Sequence, residues 1–337
     1  MLKNNLSLCI INKNDSKNLE RLLLKAKDFV EEIVVVDTGS TDSSFEIAKQ
    51  HATIAYQTTE FNDEQNNIMS FAAARNKSFE LATKDYVFWL DTDDDLSNWG
   101  LLTEDLEKLK LRSKEVNIES FCIEMSYDYT WDDERKLCLQ SFFRERIFNK
   151  RSDWKWVDPI HEFVETKKPK LVYTSAIRVI HLSQGARGLE NDRNKRILEN
   201  WLNQNNLTLF EFDKINYYLG DEELRRENFT KAVEYYIEVK HVNFWKTKAL
   251  FRIGECMINT GSFDFGARFA EENIKDFDNA HFHLQAAFCY VHLRNKEKTK
   301  EKILAAINKP MLPMENPYYG NFVVQSYQNI FNESITL

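Results

Sequence analysis

Asp91-Thr92-Asp93-Asp94-Asp95 packs four carboxylates into five residues, directly after the apolar run Tyr86-Val87-Phe88-Trp89-Leu90. That run reads as a short buried strand, so the acids stand at a strand end. Like charges this close repel unless a cation joins them, and a divalent ion that prefers hard oxygen ligands is the natural partner. The plain alternative is a polar loop in which Asp95 or Asn98 caps the next helix. Two further strand-like runs end in polar clusters: residues 6–11 at Asn12-Lys13-Asn14-Asp15, and residues 33–36 at Asp37-Thr38-Gly39-Ser40-Thr41-Asp42. Downstream, Trp154, Trp156, His161 and Glu162 fall within one loop-like stretch, residues 153–163. An imidazole and a carboxylate there could move a proton. The indoles could stack on a sugar ring, or simply pack under the loop.

The elements that must position these groups follow from periodicity. Leu19, Leu22, Leu23 and Ala26 share one helical face. Residues 33–36 are β-branched with no polar alternation, which predicts a strand buried on both faces. Ser43 and Glu46 have capping-box spacing, residues 53–56 read as a weaker strand, and residues 71–83 as a helix. Alternating β and α segments predict a largely parallel sheet with helices on both faces, whose ligand crevice lies at the carboxyl ends of the strands. Asn14, Asp15, Asp37, Asp42, Asp91 and Asp93 stand at three such ends and therefore on one rim. A Gly-x-Gly-x-x-Gly or Gly-x-x-x-x-Gly-Lys cradle is missing, so a phosphate at this acidic rim would need a metal ion or nearby cations.

After a helix near 101–111, residues 120–129 and 137–148 read as longer strands, antiparallel to each other, the second carrying Arg144 and Arg146. Residues 153–163 form a loop placed over the rim, and residues 170–180 a strand ending at His181. From about 188 the chain reads helical. Gly220 and Gly254 are 34 residues apart, as are Tyr235 and Phe269, Phe269 and Ile303, and Phe229 and Phe263. That period suggests stacked helix hairpins of the tetratricopeptide (TPR) kind, although most Trp and Pro landmarks are missing.

Composition narrows the classes. The 337 residues, 43% hydrophobic and 29% charged, fit one large domain or two ordinary ones with a real core. A net charge of −8 and a pI near 5.6 argue against a nucleic-acid or anionic-membrane partner. No apolar run is long enough to span a bilayer, and mean hydropathy is −0.53. The five scattered cysteines suit reduced core thiols, and the expected location is cytoplasmic.

Three segments together resemble the family 2 inverting glycosyltransferases of GT-A fold. They are Leu8-Cys9-Ile10-Ile11-Asn12-Lys13-Asn14-Asp15, then Glu32 through Asp42, then Ala74-Arg75-Asn76 leading to Trp89-Leu90-Asp91-Thr92-Asp93. Ile160-His161-Glu162 and Ile180-His181 resemble the branch with C-terminal TPR-like helices, which includes enzymes that glycosylate bacteriocin peptides. The resemblance covers residues 6–185 well and the helical tail loosely. It implies an α/β GT-A mixed sheet at 1–185, a TPR-like domain at 186–337 that binds the acceptor or mediates homodimerisation, and a UDP-glucose or UDP-N-acetylglucosamine donor with Mg²⁺ or Mn²⁺. The acceptor would be a peptide or a glycan.

It further implies Asp93 as a metal ligand, with Asp91 near the ribose or sugar and also a candidate for the metal, and His181 completing the shell. Asp94 and Asp95 leave that assignment open by one or two positions. Asp37 would contact the uracil or ribose, with Asn12, Asn14 and Asp15 lining the base pocket. Arg75 would lie near the diphosphate or the base, and Arg146 would screen phosphate charge. Glu162 is the preferred general base and His161 the second choice, with Asp94 or Asp95 as further options. A surface-polysaccharide or lipopolysaccharide transferase, a non-catalytic TPR scaffold and a nucleotidyltransferase are the rival readings. The last would normally carry a glycine-rich loop where this chain has Asn12-Lys13-Asn14-Asp15.

Overall fold

The structure is a computed structural model that describes residues 5–132, 137–182, 192–312 and 319–331. The chain divides into two compact units, Met1–Arg193 and Asn194–Leu337. The expected domain boundary at 185/186 lies outside the described residues.

The first unit runs β1 (Leu6–Asn12), α1 (Ser16–Ala26), β2 (Glu32–Asp37), α2 (Ser44–His51), β3 (Ile54–Gln57), α3 (Phe71–Leu81) and β4 (Tyr86–Trp89). Then come β5 (Asp94–Leu96), a 3-10 turn at Trp99–Leu101, α4 (Leu102–Val116), β6 (Ser120–Asp132), β7 (Leu137–Asn149), β8 (Lys155–Val157), β9 (Phe163–Glu165) and β10 (Lys170–His181). Eight strands form one sheet in the order β3-β2-β1-β4-β7-β6-β10-β5, and β8 pairs with β9 alone. The first four strands are parallel, β7 is antiparallel to both β4 and β6, and β6 runs parallel to β10. The sheet is therefore mixed, as expected.

The uniformly apolar strands are explained by two cores. Leu8, Ile10 and Phe88 face Leu19, Leu22, Leu23 and Leu106 of α1 and α4. The alternate residues Cys9, Val87 and Trp89 face Ala72 and Phe79 of α3, together with Trp156 of β8. A strand buried on both sides shows no polar alternation.

Three local expectations change. Ser43 makes no side-chain cap; Asp42 Oδ1 accepts from Ser44 N at 3.0 Å instead, so the box is not formed. Residues 153–163 are not a plain loop, because Lys155–Val157 and Phe163–Glu165 pair as a hairpin. The acidic stretch also becomes an edge strand at Asp94, where β10 supplies antiparallel partners, His181 opposite Asp94 and Ile180 opposite Asp95. Asn98 does act as a cap, accepting from Gly100 N at 3.0 Å.

Among the described residues the regular elements from Arg193 onward are all helices: α5 (Arg193–Leu202), α6 (Leu209–Arg225), α7 (Phe229–Tyr236), α8 (Asn243–Asn259), α9 (Phe263–Ile274), α10 (Ala280–His292), α11 (Lys296–Ala306) and α12 (Tyr319–Phe331). Helices α6/α7, α8/α9 and α10/α11 are successive hairpins. Gly220 sits where any Cβ would run into the Tyr236 ring, which is why α6 and α7 approach so closely. Among the described residues no helix is long and apolar enough to cross a membrane.

Candidate active site

Strand order puts the carboxyl ends of β2, β1 and β4 side by side, and the polar clusters there bond to one another. Asn12 Nδ2 donates to Asp37 Oδ2 at 3.0 Å. Asn14 Oδ1 accepts from Thr41 N at 2.7 Å, and Thr92 Oγ1 donates to Asp15 Oδ2 at 2.5 Å. Three segments distant in sequence thus form one rim.

Within this rim Asp37 is fully buried and its carboxylate is used up by its own surroundings. Oδ1 accepts from Gly39 N, Ser40 N and Gln57 Nε2 at 2.8–3.1 Å, and Oδ2 from Asn12 and from Ser40 Oγ at 2.6 Å. Asp37, the residue expected to contact a nucleoside, thus fixes the turn at the end of β2. Gly39 permits that turn with φ +85°, and a Cβ there would collide with Asn66 and Thr59. Asn12 Oδ1, by contrast, is buried with no hydrogen-bond partner. Asn14 is exposed, with φ +52°, and Asp15 is half-buried and also accepts from Asn18 at 2.9 Å.

At the end of β4 the acids divide three ways. Asp91 Oδ1 accepts from Arg75 at 2.8 Å. Asp93, Asp94 and His181 bring one ligand atom each within 4.8 Å of one another. Asp95 turns away to Lys25 at 2.7 Å and Trp99 Nε1 at 2.8 Å. Asp91, expected among the metal ligands, bonds an arginine, and Asp94 stands beside Asp93 and His181. Asp94 is fully buried, its Oδ2 accepts from Arg146 at 3.1 Å, and its Oδ1 receives no hydrogen bond. His181 Nδ1 lies 3.5 Å from Asp94 and 3.7 Å from Asp93, and 3.0 Å from the Tyr127 hydroxyl.

Electrostatics follow from this packing. Burial opposes ionisation of Asp91, but the Arg75, Arg146 and Arg144 guanidinia outweigh it and hold the carboxyl at about 2. Burial likewise opposes protonation of His181, yet Asp94, Asp93 and Asp91 raise it above the ordinary imidazole value. Burial with the nearby Asp94 and Asp91 keeps the Tyr127 phenol neutral far above its usual range.

Arg75 is the hub. Its guanidinium stacks over Trp89 and Trp156 with 4.5 and 5.0 Å to the ring centroids, and bonds Asp91 on one side and Glu162 Oε1 on the other at 2.9 Å. The neighbouring Asn76 side chain pairs with both backbone groups of Trp156, at 2.8 and 2.9 Å, so α3 clamps the β8–β9 hairpin. Phe71 N donates to Pro159 O, and Arg144 to Glu162 O at 3.1 Å. These bonds hold Asp158 and His161 with positive φ, 67° and 51°, a conformation that costs a non-glycine residue about 1–3 kcal/mol. His161 is exposed, and Glu162 faces the rim. Arg146 is fully buried under Trp89 and Tyr127, 3.8 and 4.7 Å from their centroids. Trp156 is 1% exposed, and the half-buried Trp154 packs on Phe148 with Nε1 bonded to Asn149, which is the packing alternative to a sugar platform.

Residues 7–110 match the model of Glycosyl transferase family 2. A TPR repeat-containing protein of Synechococcus elongatus is 30% identical over 161 residues, 47% of this chain and 35% of that one. The SPbeta prophage-derived glycosyltransferase SunS of Bacillus subtilis is 30% identical over 133 residues, 38% of this chain and 29% of that one. The chain therefore spans about a third of the length of these curated relatives. Among solved structures, S. aureus TarS aligns over 88% of this chain and 53% of its own, at 14% identity and a TM-score of 0.36. The mixed sheet with its acidic rim and the helical hairpins together make the chain an α/β protein of the GT-A class with TPR-like helices. Residues 7–110 are a family 2 glycosyl transferase domain.

Tyr127 and the roles of Trp89 and Asn76 were not visible in the sequence. Tyr127 is one aromatic among many in an alternating strand, and only its register beside β10 reveals it.

Proposed function

We propose that this chain is an inverting glycosyltransferase that moves a hexose, glucose or N-acetylglucosamine, from a UDP-sugar to an acceptor, a peptide Cys or Ser side chain being favoured. The single observation that carries the reading is the Arg75 junction, which ties Asp91 on the donor rim to Glu162 on the hairpin. Nucleophile activation and leaving-group stabilisation must lie on opposite sides of one anomeric carbon in an inverting transfer, and this junction joins a candidate group for each task.

Asp93, Asp94 and His181 suit a divalent cation. Two carboxylates and an imidazole are acceptable to Mg²⁺ and better to Mn²⁺. Asp94 Oδ1, buried without a hydrogen bond and with His181 Nδ1 at 3.5 Å, supports the fit, because buried acceptors are ordinarily satisfied. An ion held there would supply positive charge for the departing diphosphate. Arg75, Arg144 and Arg146 add cationic charge beside the same rim. Asn12, whose buried Oδ1 lacks a donor, would accept from the base of the nucleotide.

Glu162 acts as the general base. Arg75 holds Oε1 and orients the carboxylate, and Oε2 takes the proton of the acceptor thiol or hydroxyl. The acceptor sulfur or oxygen then bonds to the anomeric carbon as the bond to the diphosphate breaks, its electron pair leaving with UDP. The helical unit serves the acceptor, as repeat arrays of this kind bind extended peptides, or joins two copies; the location is cytoplasmic.

Product mass spectrometry with a panel of UDP-sugars and candidate acceptors tests the activity. Glu162→Gln is expected to lower kcat by about 10²–10⁴-fold with UDP affinity unchanged. A fall in donor affinity with kcat preserved would remove Glu162 from the base role.

A further inference from the structure

We propose that Arg21 of α1 is a positioning residue that aims the Asp93 and Asp94 carboxylates at the cation site, an inference that rests on the metal-dependent reading above. It acts on backbone carbonyls and leaves the carboxylates free. Arg21 Nη2 donates to Thr92 O at 2.9 Å and to Asp94 O at 2.8 Å. The carbonyl between them, Asp93 O, accepts from Leu182 N at 2.8 Å. Each carbonyl belongs to one rigid peptide plane. Three consecutive planes, 92–93, 93–94 and 94–95, are thus held from outside the turn. A residue whose flanking planes are fixed has a fixed Cα–Cβ direction, so Asp93 and Asp94 keep facing His181, 3.7 and 3.5 Å from its Nδ1. None of these three bonds uses a carboxylate oxygen of either residue, so none has to break for an ion to bind there.

Helix α1 braces the same turn on either side of Arg21. Asp15, just before the helix, accepts from Thr92 Oγ1, and Lys25, one helical turn beyond Arg21, bonds Asp95 at 2.7 Å. Arg21 Nε and Nη1 are buried without hydrogen-bond partners, the nearest carboxylate to Nη1 being Asp95 at 3.7 Å. The hydrogen bonding of this guanidinium is therefore spent on the two carbonyls. Its charge opposes a metal ion in the same neighbourhood, so an arginine that assists binding there does so by geometry. Outer groups that orient ligands in this way typically change metal affinity by about 10–100-fold when removed.

The experiment is Mn²⁺ titration of the full chain, followed by EPR of the free ion, for wild type, Arg21→Met, Lys25→Met and Asp93→Ala. The two methionine variants each remove one cation of α1 beside the acidic turn, but only the first releases the carbonyls on either side of Asp93. On charge alone both should bind Mn²⁺ as tightly as wild type or more so. The expected result is an Mn²⁺ Kd about 10–100-fold weaker in Arg21→Met and no weaker in Lys25→Met. Affinity equal to or tighter than wild type in Arg21→Met, beside a clear loss in Asp93→Ala, overturns this inference and leaves the metal reading standing. Equal weakening in both methionine variants also overturns it, because the carbonyl bonds would then not be the cause. Unchanged affinity in Asp93→Ala overturns both. If Arg21→Met does not fold, Arg21→Lys decides: it keeps the charge on a side chain one bond shorter, so a weaker Kd supports the assignment and an unchanged one contradicts it.

Discussion

Two acidic strand ends sit side by side on this rim and do opposite things. At the end of β2, Asp37 is satisfied by neutral donors, the Gly39 and Ser40 amides, the Ser40 hydroxyl and the Asn12 and Gln57 carboxamides. At the end of β4, Asp91, Asp93 and Asp94 face charged or titratable groups: Arg75, Arg146 and His181. A carboxylate satisfied by neutral donors builds a turn. Carboxylates set among arginines and an imidazole build a site. The difference is not in residue type but in the charge of the groups that face it.

The sharpest way to break this contrast is to exchange the consequences. Asp93→Ala is expected to cost about 1,000-fold or more in transfer and to abolish metal-dependent UDP binding, while leaving the melting temperature within a few degrees of wild type. UDP release assays and denaturation on the same preparation would check it. Arg146→Met strikes both sides. It leaves Asp94 as an uncompensated buried charge, so stability should fall by about 3–5 kcal/mol in urea unfolding. Asp37→Ala should do the reverse of Asp93→Ala. It strands buried donors at about 1–3 kcal/mol of stability and leaves Mn²⁺ affinity intact. If Asp37→Ala instead removed Mn²⁺ binding, the two strand ends would not be separable in this way.

The smallest effect lies in acid. The folded carboxyl of Asp91 is at about 2, below the ordinary value of about 3.9 that it takes when unfolded. A depressed folded pKa gives stability that is fully present above about pH 4 and is lost as the pH falls towards 2. Asp91→Asn should therefore flatten the stability profile between pH 4 and 2 without changing its shape near neutrality. A parallel acid loss in variant and wild type would show that Arg75 does not hold Asp91 in solution.

Much of this architecture could be read from the sequence because its causes are local. Runs such as Ile33-Val34-Val35-Val36 must be buried on both faces, and alternation of such runs with helical periods leaves few arrangements other than a parallel sheet. The rim followed from that arrangement, while Glu162, Arg75 and His181 were singled out by the family resemblance. What stayed hidden depends on pairing between distant segments. Asp94-Asp95-Leu96 has poor strand propensity and becomes a strand because β10 offers an edge. The choice of Asp94 over Asp91 beside His181 follows from that register, as does the place of Tyr127. Trp154 and Trp156 look like a stacking platform when read alone, but α3 and Phe148 claim them as core.

The most direct measurement is the anomalous difference density of crystals grown with Mn²⁺ and UDP. One peak touching Asp93, Asp94 and His181, with the diphosphate on its open side and Asp91 still on Arg75, is the predicted result. A peak ligated by Asp91 or Asp95 without His181, or bound UDP with no ion beside it, would contradict the account.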